Sequence, residues 1–491
     1  MKDPTVLQTI LPTSVLLLAA LIVALLGWRL PWVPPGVHRV IGAVGVVAAI
    51  VAALSLLRGI SGLAGIGLDD YGGAVIDDRF GIYAAVLVCG VGLLATLASG
   101  TAAERLGPRA SAYHALLLTA TAGATALVIQ SEMAMLIAGL ALLVPSLVGL
   151  VALEKTSDGP AEAALRQLVG AGVAVALLVY GLAIVYGAAG TSDLASTRSL
   201  LPHGSGVLEG LGLGLILVGL AYVVGAAPLH HWMIQVARHS QGAIAGSVIA
   251  MAGAAGGLTL VRVLVSGFSQ SLRPWVVLAA VLAAIACAYP ALVSLTATTV
   301  RGLVGLGASL QGGLVFAALV GTGTGIDGKT NGGVDALLFG LAAFALAVLT
   351  SFLAIGLLEA GGVGSRLSDI RGLSRRSPLG ATLLAVGLAG LAGLPPLAGF
   401  LTRLLVVQSA VAGGYAWLGV AAVAASVIYS VAVLRALGAV FVEDDDAPAI
   451  VSEAPGLARL AAGACALFGV AATVLAGPIL YVANGATLSL R

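Results

Sequence analysis

Lysine is nearly absent from this sequence, since its 491 residues include only Lys2, Lys155 and Lys329. Charged residues of all kinds make up 9% of the chain, against about 25% in soluble proteins, and hydrophobic residues make up 60%. This composition excludes a soluble globular protein and indicates a polytopic membrane protein. Basic and acidic residues nearly balance, at 23 against 21, so we expect no nucleic-acid partner.

Cysteine is also scarce. Cys89, Cys287 and Cys465 each lie in an apolar run, and they are far apart in sequence. The chain has no CxxC motif and no Cys/His spacing of the kind that binds zinc or iron–sulfur clusters. We therefore expect no metal site and no cofactor in this chain, and we interpret the cysteines as small buried hydrophobic residues.

Long apolar runs dominate the sequence instead. A helix needs about 20 mainly apolar residues to cross a bilayer, and fourteen segments meet this requirement. The predicted limits of the spans are 9–28, 37–57, 80–99, 111–130, 132–153, 163–187, 206–229, 243–266, 274–297, 300–321, 334–358, 379–410, 414–441 and 456–485. The predicted fold class is thus an all-α polytopic membrane protein of about fourteen transmembrane helices.

The basic residues predict the orientation of the chain, because cytoplasmic loops carry an excess of lysine and arginine. With the N-terminus outside, eleven basic residues fall on the cytoplasmic side and seven on the external side. Fourteen spans place both termini on the same side, so both are predicted to be external. The acidic run Glu443–Asp446 then lies inside, where we interpret it as a solvated loop.

Two spans contain features that a membrane helix normally avoids. In "LAGLPPLAGFLTRLLVV", Pro395 and Pro396 interrupt span twelve and Arg403 follows. A proline inside a helix costs about 3 kcal/mol or more, and an arginine near the middle of the membrane costs roughly 2.5–3.5 kcal/mol on insertion scales. Arg403 lies two turns beyond Pro396, where it could donate to freed backbone carbonyls or to an acidic group on a neighbouring subunit.

Span seven carries the matching interruption. Pro228 breaks it, and His230 and His231 follow at once in "GAAPLHHWM". Matching breaks five spans apart predict two inverted five-helix repeats, spans four to eight and nine to thirteen, with broken helices seven and twelve. A single membrane domain, 1–491, would then consist of N-terminal helices (1–110), a first repeat (111–266), a second repeat (274–441) and a C-terminal loop and helix (442–491).

Few other ionisable residues fall within the spans. For His230 and His231 two roles stay open, namely capping of the carbonyls that the break frees and relay of protons. Arg262 and Arg435 lie toward the ends of their spans, where long side chains can snorkel to the interface. Glu359 is interpreted as interfacial.

The broken spans resemble a known family. "LAGLPPLAGFLTR" is similar to the "LAGIPPLAGFFGK" signature of the N-type subunit of proton-pumping NADH–quinone oxidoreductase (complex I). "AEAALRQLVGAGVAVALLVYGLAIVYGAAGTSDLA" at 161–195, "AAPLHHW" at 226–232 and "LSDIRGLSRRSPLGATLLAVGLAGLAGLPPLAGF" at 367–400 resemble further blocks of the same subunit. The resemblance covers roughly residues 75–440 and extends to Mrp-type cation/proton antiporter subunits.

The resemblance implies a buried axis of glutamate, lysine and histidine that carries protons, and this sequence lacks most of it. The family's glutamate in span five is Ala141, its lysines in spans seven and eight are Val223 and Gly253, and its histidine in span ten is Leu310. The lysines of spans six and twelve are replaced by Arg166 and Arg403. Arginine holds its proton under essentially all conditions, so it is a poor proton relay.

The resemblance therefore implies an antiporter-like membrane subunit of a complex I or complex I-like respiratory oxidoreductase in the bacterial inner membrane. Its proton path would be degenerate, its role mainly structural, and its partners other membrane subunits and lipids. Redox chemistry would belong to the partner subunits, so the chain would count as an enzyme only as part of that complex. An Mrp-type antiporter subunit, a non-catalytic scaffold of another ion-translocating assembly and an unrelated broken-helix transporter stay open as alternatives.

Overall fold

The computed structural model describes residues 6–30, 32–58, 69–70, 75–76, 78–154, 158–200, 206–268, 272–323, 332–442 and 456–490. All three lysines and the acidic run Glu443–Asp446 lie outside the described residues. The helices are α1 (Val6–Arg29), α2 (Pro35–Ser55), α3 (Arg79–Ala98), α4 (Gly100–Leu106), α5 (Ala110–Ile129), α6 (Met133–Ala152), α7 (Asp158–Ala189), α8 (Leu194–Leu200), α9 (Val207–Val224), α10 (His231–His239), α11 (Gly242–Val261), α12 (Leu272–Ser294), α13 (Val300–Val320), α14 (Gly333–Ala360), α15 (Leu373–Arg376), α16 (Pro378–Ala392), α17 (Ala398–Ala412), α18 (Ala416–Phe441), α19 (Gly456–Val474) and α20 (Ala476–Leu488). Two-residue strands β1 (Asp69–Asp70) and β2 (Val75–Ile76) pair antiparallel ahead of α3.

The predicted fold class is confirmed, because the described chain is helical and rich in membrane-spanning segments. Within the described ranges, twelve helices are long and apolar enough to cross a membrane. A thirteenth candidate is the pair α19 and α20, whose axes are bent by 82°. The shorter apolar helices α16 and α17 together correspond to predicted span twelve. The count of fourteen crossings, which requires both pairs to cross, stays a prediction.

Three helices form the centre of the molecule because they are apolar on every face. All residues of α11 are buried, all of α13 except Gln311 are buried, and α14 is buried over most of its length. A helix that is hydrophobic all round is expected in the interior. At Gly242, where α11 crosses α14, a Cβ atom would lie within 2.3 Å of the Phe352 carbonyl oxygen. Only glycine permits so close an approach of the two backbones.

The breaks in spans seven and twelve have the same backbone design. Gly225 caps the C-terminal end of α9 in a left-handed conformation, with φ of 76°. The amide of Ala226 donates to the Ala221 carbonyl at 2.9 Å. The helix α16 ends at Gly393, with φ of 67°, and the amide of Leu394 donates to the Ala389 carbonyl at 2.9 Å. These are glycine C-caps of the Schellman type.

Glycine therefore ends each helix, and the prolines lie in the connections that follow. The expectation that Pro228 itself breaks span seven is wrong in this detail, since α9 ends at Val224. The prolines keep the chain from resuming the helix at once. A short helix, α10, then begins at His231, beyond the predicted limit of span seven.

A second matched feature lies at one end of each predicted repeat. An isolated antiparallel bridge joins Glu132, ahead of α6, to Asp193, after α7. The corresponding bridge joins Thr299, ahead of α13, to Arg366, after α14. The glycine breaks and the bridges thus occur in the same order in the two predicted repeats, 111–266 and 274–441, and they support the proposed division of the chain.

A buried ion pair ties the first repeat to α3. The guanidinium of Arg262 contacts both carboxylate oxygens of Asp78, with Nη2 2.8 Å from Oδ1, and its Nε donates to the Val128 carbonyl at 3.2 Å. Both side chains are at most 2% exposed. The prediction that Arg262 snorkels is therefore wrong, because the side chain turns inward toward the carboxylate that precedes α3.

Breaking this pair should destabilise the fold. Removing one partner of a buried ion pair typically costs about 3–5 kcal/mol, because the other charge stays buried and uncompensated. We expect Asp78→Asn and Arg262→Met each to lower the thermal unfolding midpoint in detergent strongly. The double variant should lose less than either single variant, since it buries no lone charge.

The exposed pair Glu162–Arg166 provides the control. Pairs of this kind contribute roughly 0–1 kcal/mol, so Glu162→Gln should change the midpoint little. Equal, small shifts in all of these variants would contradict a structural role for the buried pair.

Candidate functional site

The broken span twelve exposes backbone carbonyls at the end of α16, and Arg403 contacts one of them. The Nη2 atom of Arg403 donates to the Leu391 carbonyl at 2.5 Å, and the hydroxyl of Ser430 donates to the Ala392 carbonyl at 3.1 Å. The amides of Leu394 and Gly393 donate to the carbonyls of Ala389 and Gly390, respectively. The last four carbonyls of α16 therefore all have donors, which matters because an unsatisfied group in a membrane interior costs several kcal/mol.

One guanidinium nitrogen of Arg403 is left without an acceptor in the described part of the chain. Its Nη1 atom is buried and has no hydrogen-bond partner among the described residues. Gly393 makes room for the guanidinium, since a Cβ atom there would lie 2.2 Å from Nη1. Arg403 is not part of the ion pairs Glu162–Arg166, Asp78–Arg262 and Arg301–Glu359, and no described carboxylate pairs with it. Of the two contacts expected for this side chain, the structure shows the one to a freed carbonyl. Pro395 and Pro396 lie in the connection between α16 and α17.

The break in span seven is organised differently. Trp232 donates from its indole Nε1 to the Tyr222 carbonyl at 2.9 Å near the end of α9. His230 is buried with its ring centroid 4.7 Å from that of Tyr289, and neither ring nitrogen has a partner among the described residues. His231 is exposed. At this break the tryptophan indole, and not the ring of His230, hydrogen bonds to a carbonyl of α9. The choice between the two roles left open for the histidines stays a prediction.

Arg166 lies on the exposed face of α7, where Nη2 is 2.5 Å from Oε1 of Glu162. It lines an open cavity of about 320 Å³ together with residues of the span-seven break, including Pro228, His231 and Trp232. The fold therefore places three of the candidate residues, Arg166, Pro228 and His231, around one cavity. The prolines of span twelve and Arg403 do not line it.

Apolar residues occupy the positions where the resemblance implies central charges. Val223, Gly253 and Leu310 are buried, whereas Ala141 is exposed on the surface of α6. A Cβ atom at Gly253 would lie 2.4 Å from Cε1 of Phe344, so the phenylalanine ring occupies the space beside this position. No feature of the sequence pointed to Phe344, because its relation to Gly253 depends on the packing of α11 against α14.

A second buried arginine was also missed by sequence reasoning. Nε of Arg301 is 2.6 Å from Oε1 of Glu359, and Nη2 is 2.5 Å from Oε2. Nη1 also donates to the Ser240 carbonyl after α10. This pair ties the start of α13 to the end of α14. An arginine at the start of span ten and a glutamate at the end of span eleven lie on the same side of the membrane. This placement could have predicted the Arg301–Glu359 pair from the sequence.

Within the described part of the chain, no group of three or more histidine, cysteine, aspartate or glutamate side chains is placed to hold a metal ion. The three cysteines are free and buried. The charged groups that the described structure buries include Arg262 and Arg301, each paired with a carboxylate, and also the acidic residues Glu154 and Glu209. Such groups can hold charge and orient backbone, but an arginine does not give up its proton.

Comparison of the sequence with protein families and curated proteins gives clear matches. Residues 131–429 match the family described as NADH:quinone oxidoreductase/Mrp antiporter, transmembrane. NADH-quinone oxidoreductase subunit N 1 of Solidesulfovibrio magneticus is 33% identical over 387 residues, which cover 76% of this chain and 81% of the relative. The protein of the same name in Symbiobacterium thermophilum is 31% identical over 386 residues, which cover 77% and 76%.

Solved structures share the fold. A chain of respiratory complex I from Thermus thermophilus superposes with a TM-score of 0.78 and 24% identity, covering 96% of this chain and 98% of that one. A chain of the membrane-bound sulfane sulfur reductase, an archaeal respiratory membrane complex, gives 0.84 and 21%, covering 97% of each. A chain of the Mrp complex from a Dietzia species gives 0.83 and 16%, covering 98% and 97%.

The packing around Gly253 yields a test of whether the interior retains space for a charged axis. We expect Gly253→Ala to lower the thermal unfolding midpoint in detergent, because overpacking a tight core costs typically 1–3 kcal/mol. Shortening the opposing ring in Gly253→Ala/Phe344→Leu should recover part of the loss. Gly36→Ala, where a Cβ meets nothing within 4 Å, should be silent. A silent Gly253→Ala would show that space for a longer side chain exists there.

Proposed function

The chain belongs to the NADH:quinone oxidoreductase/Mrp antiporter transmembrane family, and from this membership we propose that it serves as an antiporter-like membrane subunit of a complex I or complex I-like respiratory oxidoreductase. The observation that carries the proposal is the similarity to subunits N, which extends over three quarters of this chain and of each relative. The relatives are bacterial, which supports placement in a bacterial cell membrane with other membrane subunits as partners. Flavin, clusters and quinone chemistry would reside in those partners.

We further propose that this subunit has lost most of the proton-carrying axis and acts mainly as structure. Proton movement through a membrane needs buried groups that titrate and a neighbouring charge that can be switched. Here the corresponding positions are Ala141, Val223, Gly253 and Leu310, and the ring of Phe344 lies against one of them.

The remaining arginines support the same role. Arg403 donates to the broken end of α16, and Arg262 and Arg301 are each engaged by a carboxylate within the chain. Each of these charges thus has a contact that holds two or more helices together. A permanent charge in such a place stabilises one arrangement of the helices instead of loading and releasing a proton.

An Mrp-type cation/proton antiporter subunit is the main alternative, because the Mrp chain from Dietzia shares the fold. A transporter of that kind also needs buried groups that titrate, and their replacement here weighs against it. A scaffold subunit of another ion-translocating assembly would tolerate the same replacements.

The stable partners distinguish these functions. An affinity-tagged chain purified in mild detergent from its native membranes should retain subunits that carry flavin and iron–sulfur clusters, detected by absorption and paramagnetic resonance spectra and by mass spectrometry. Small hydrophobic antiporter subunits without redox centres would indicate the Mrp-type function. Membrane partners of neither kind would indicate the scaffold.

Arg403 tests the structural role directly. Glutamate at this position cannot donate to the Leu391 carbonyl and would bury a charge of the wrong sign, so Arg403→Glu should lower the amount of assembled complex strongly. Turnover per assembled complex should stay close to that of the unmodified protein. Arg403→Lys, which keeps one charged donor, should assemble to an intermediate level.

Arg166→Glu is the matched control, since Arg166 is an exposed arginine in a membrane helix. We expect it to assemble normally. If Arg403→Glu assembles normally while turnover collapses, Arg403 takes part in transport and the structural interpretation is wrong.

A further inference from the structure

Arg262 and Arg435 occupy equivalent places in the two predicted repeats. Nε of Arg262, just after α11, donates to the carbonyl of Val128 at the end of α5. Nη1 of Arg435, near the end of α18, donates to the carbonyl of Leu295 just after α12, at 2.8 Å. Each acceptor precedes the bridge residue of its repeat, Glu132 or Thr299, by four positions. The last helix of each repeat therefore uses an arginine to hold the end of the first helix.

The two arginines differ in their exposure and in their other contacts. Arg262 is covered by α3, which packs on α5 and α11 and brings the carboxylate of Asp78 at its start. Arg435 is exposed, and its second donor, Nη2, bonds to the Ala297 carbonyl at 2.8 Å. No described acidic side chain forms an ion pair with it.

Within the described ranges, no element covers the face around Arg435. The exposed apolar side chains of α12 recur every three or four residues, and those of α18 follow the same spacing. On α12 they are Val277, Val281, Ile285, Tyr289 and Leu292, and Leu295 follows just after the helix. On α18 they include Val420, Val423, Val427, Val431 and Leu434. This stripe spans about 27 Å at 1.5 Å per residue, close to the thickness of the hydrocarbon core.

We propose that the α12–α18 face receives a transmembrane helix of a neighbouring subunit, and that a carboxylate at the membrane end of that helix pairs with Arg435. The partner helix would occupy the position on the α12–α18 face that α3 occupies on the α5–α11 face. Its carboxylate would correspond to that of Asp78. A protein helix is favoured over a lipid because the equivalent face within this chain is covered by a protein helix that begins with an acidic residue. The proposal rests on the proposed function, in that it requires a multi-subunit assembly.

Photo-crosslinking in the intact complex tests the contact. With p-benzoylphenylalanine in place of Leu292, which is 56% exposed on this face, irradiation of native membranes should give an adduct with one membrane subunit. The crosslinked peptide should lie in a transmembrane helix that has an aspartate or glutamate near one end. In the Arg435→Gln background the adduct yield should fall.

Charge exchange tests the pairing. Arg435→Glu should lower the assembled fraction roughly tenfold or more, as expected when a paired charge in an interface meets its own sign. Replacing the identified partner carboxylate with arginine in the same strain should restore assembly. Arg435→Ala separates this loss from misfolding, because it removes the same bonds to the Leu295 and Ala297 carbonyls without reversing the charge. The two isolated variants should unfold at similar temperatures, whereas only the assembly of Arg435→Glu should be restored by the partner exchange.

A negative charge supplied by this chain itself or by a lipid would give different results. If neutralising Glu443–Asp446 with Gln and Asn reproduces the effect of Arg435→Gln, and the partner exchange does not restore assembly, the carboxylate belongs to this chain and the proposal is wrong. Adducts with phospholipid alone, or loss of bound anionic lipid in Arg435→Gln without loss of assembly, would also overturn it. A chain that purifies without partners contradicts the proposed function, whereas partners that never crosslink at position 292 contradict only the present proposal.

Discussion

The structure depends on one constraint, which is that backbone groups freed inside a membrane must find partners within the protein. Two spans are broken by glycine caps followed by proline connections, so each break leaves carbonyls that no helix can satisfy. At α16 the chain supplies two loop amides, a serine hydroxyl and the guanidinium of Arg403. At α9 it supplies two loop amides and the indole of Trp232. Arg403 in span twelve thus supplies one of the donors that the broken backbone needs, whether or not an ion moves.

Under the proposed loss of titrating residues, this constraint explains how an antiporter-like scaffold keeps its architecture. A lysine at the end of span twelve can both complete a broken helix and carry a proton, whereas an arginine completes the helix and retains its proton. At the positions where the resemblance implies central charges stand alanine, valine, glycine and leucine, and the ring of Phe344 lies beside Gly253. Arg403, Arg262 and Arg301 contact carbonyls or carboxylates of other segments. In the proposed account these charges position helices.

Much of the fold was predictable because hydrophobic length and breaks are local properties of the sequence. The spans, the two interruptions and the family followed from apolar runs and from blocks such as "LAGLPPLAGFLTR". The long-range contacts were not predictable in the same way. Arg262 is buried because Asp78, more than 180 positions earlier, begins a helix beside it. The hydrogen bond from the Trp232 indole to the carbonyl of Tyr222, ten residues earlier, likewise depends on how the chain turns at the break. The roles of Gly225 and Gly393 could have been predicted, since glycine directly before a proline connection is typical of a helix end.

The central claim is that no continuous proton path crosses the interior of this subunit. The most direct test is a map of ordered water molecules in the assembled complex, determined at a resolution at which single waters are visible. Loss of the axis predicts that the region between α9, α11, α13 and α17 contains no continuous file of waters, with the ring of Phe344 packed against Gly253 and the Arg403 guanidinium hydrogen-bonded to the end of α16. A continuous file of waters that connects His230 to Arg403 through this region would contradict the claim.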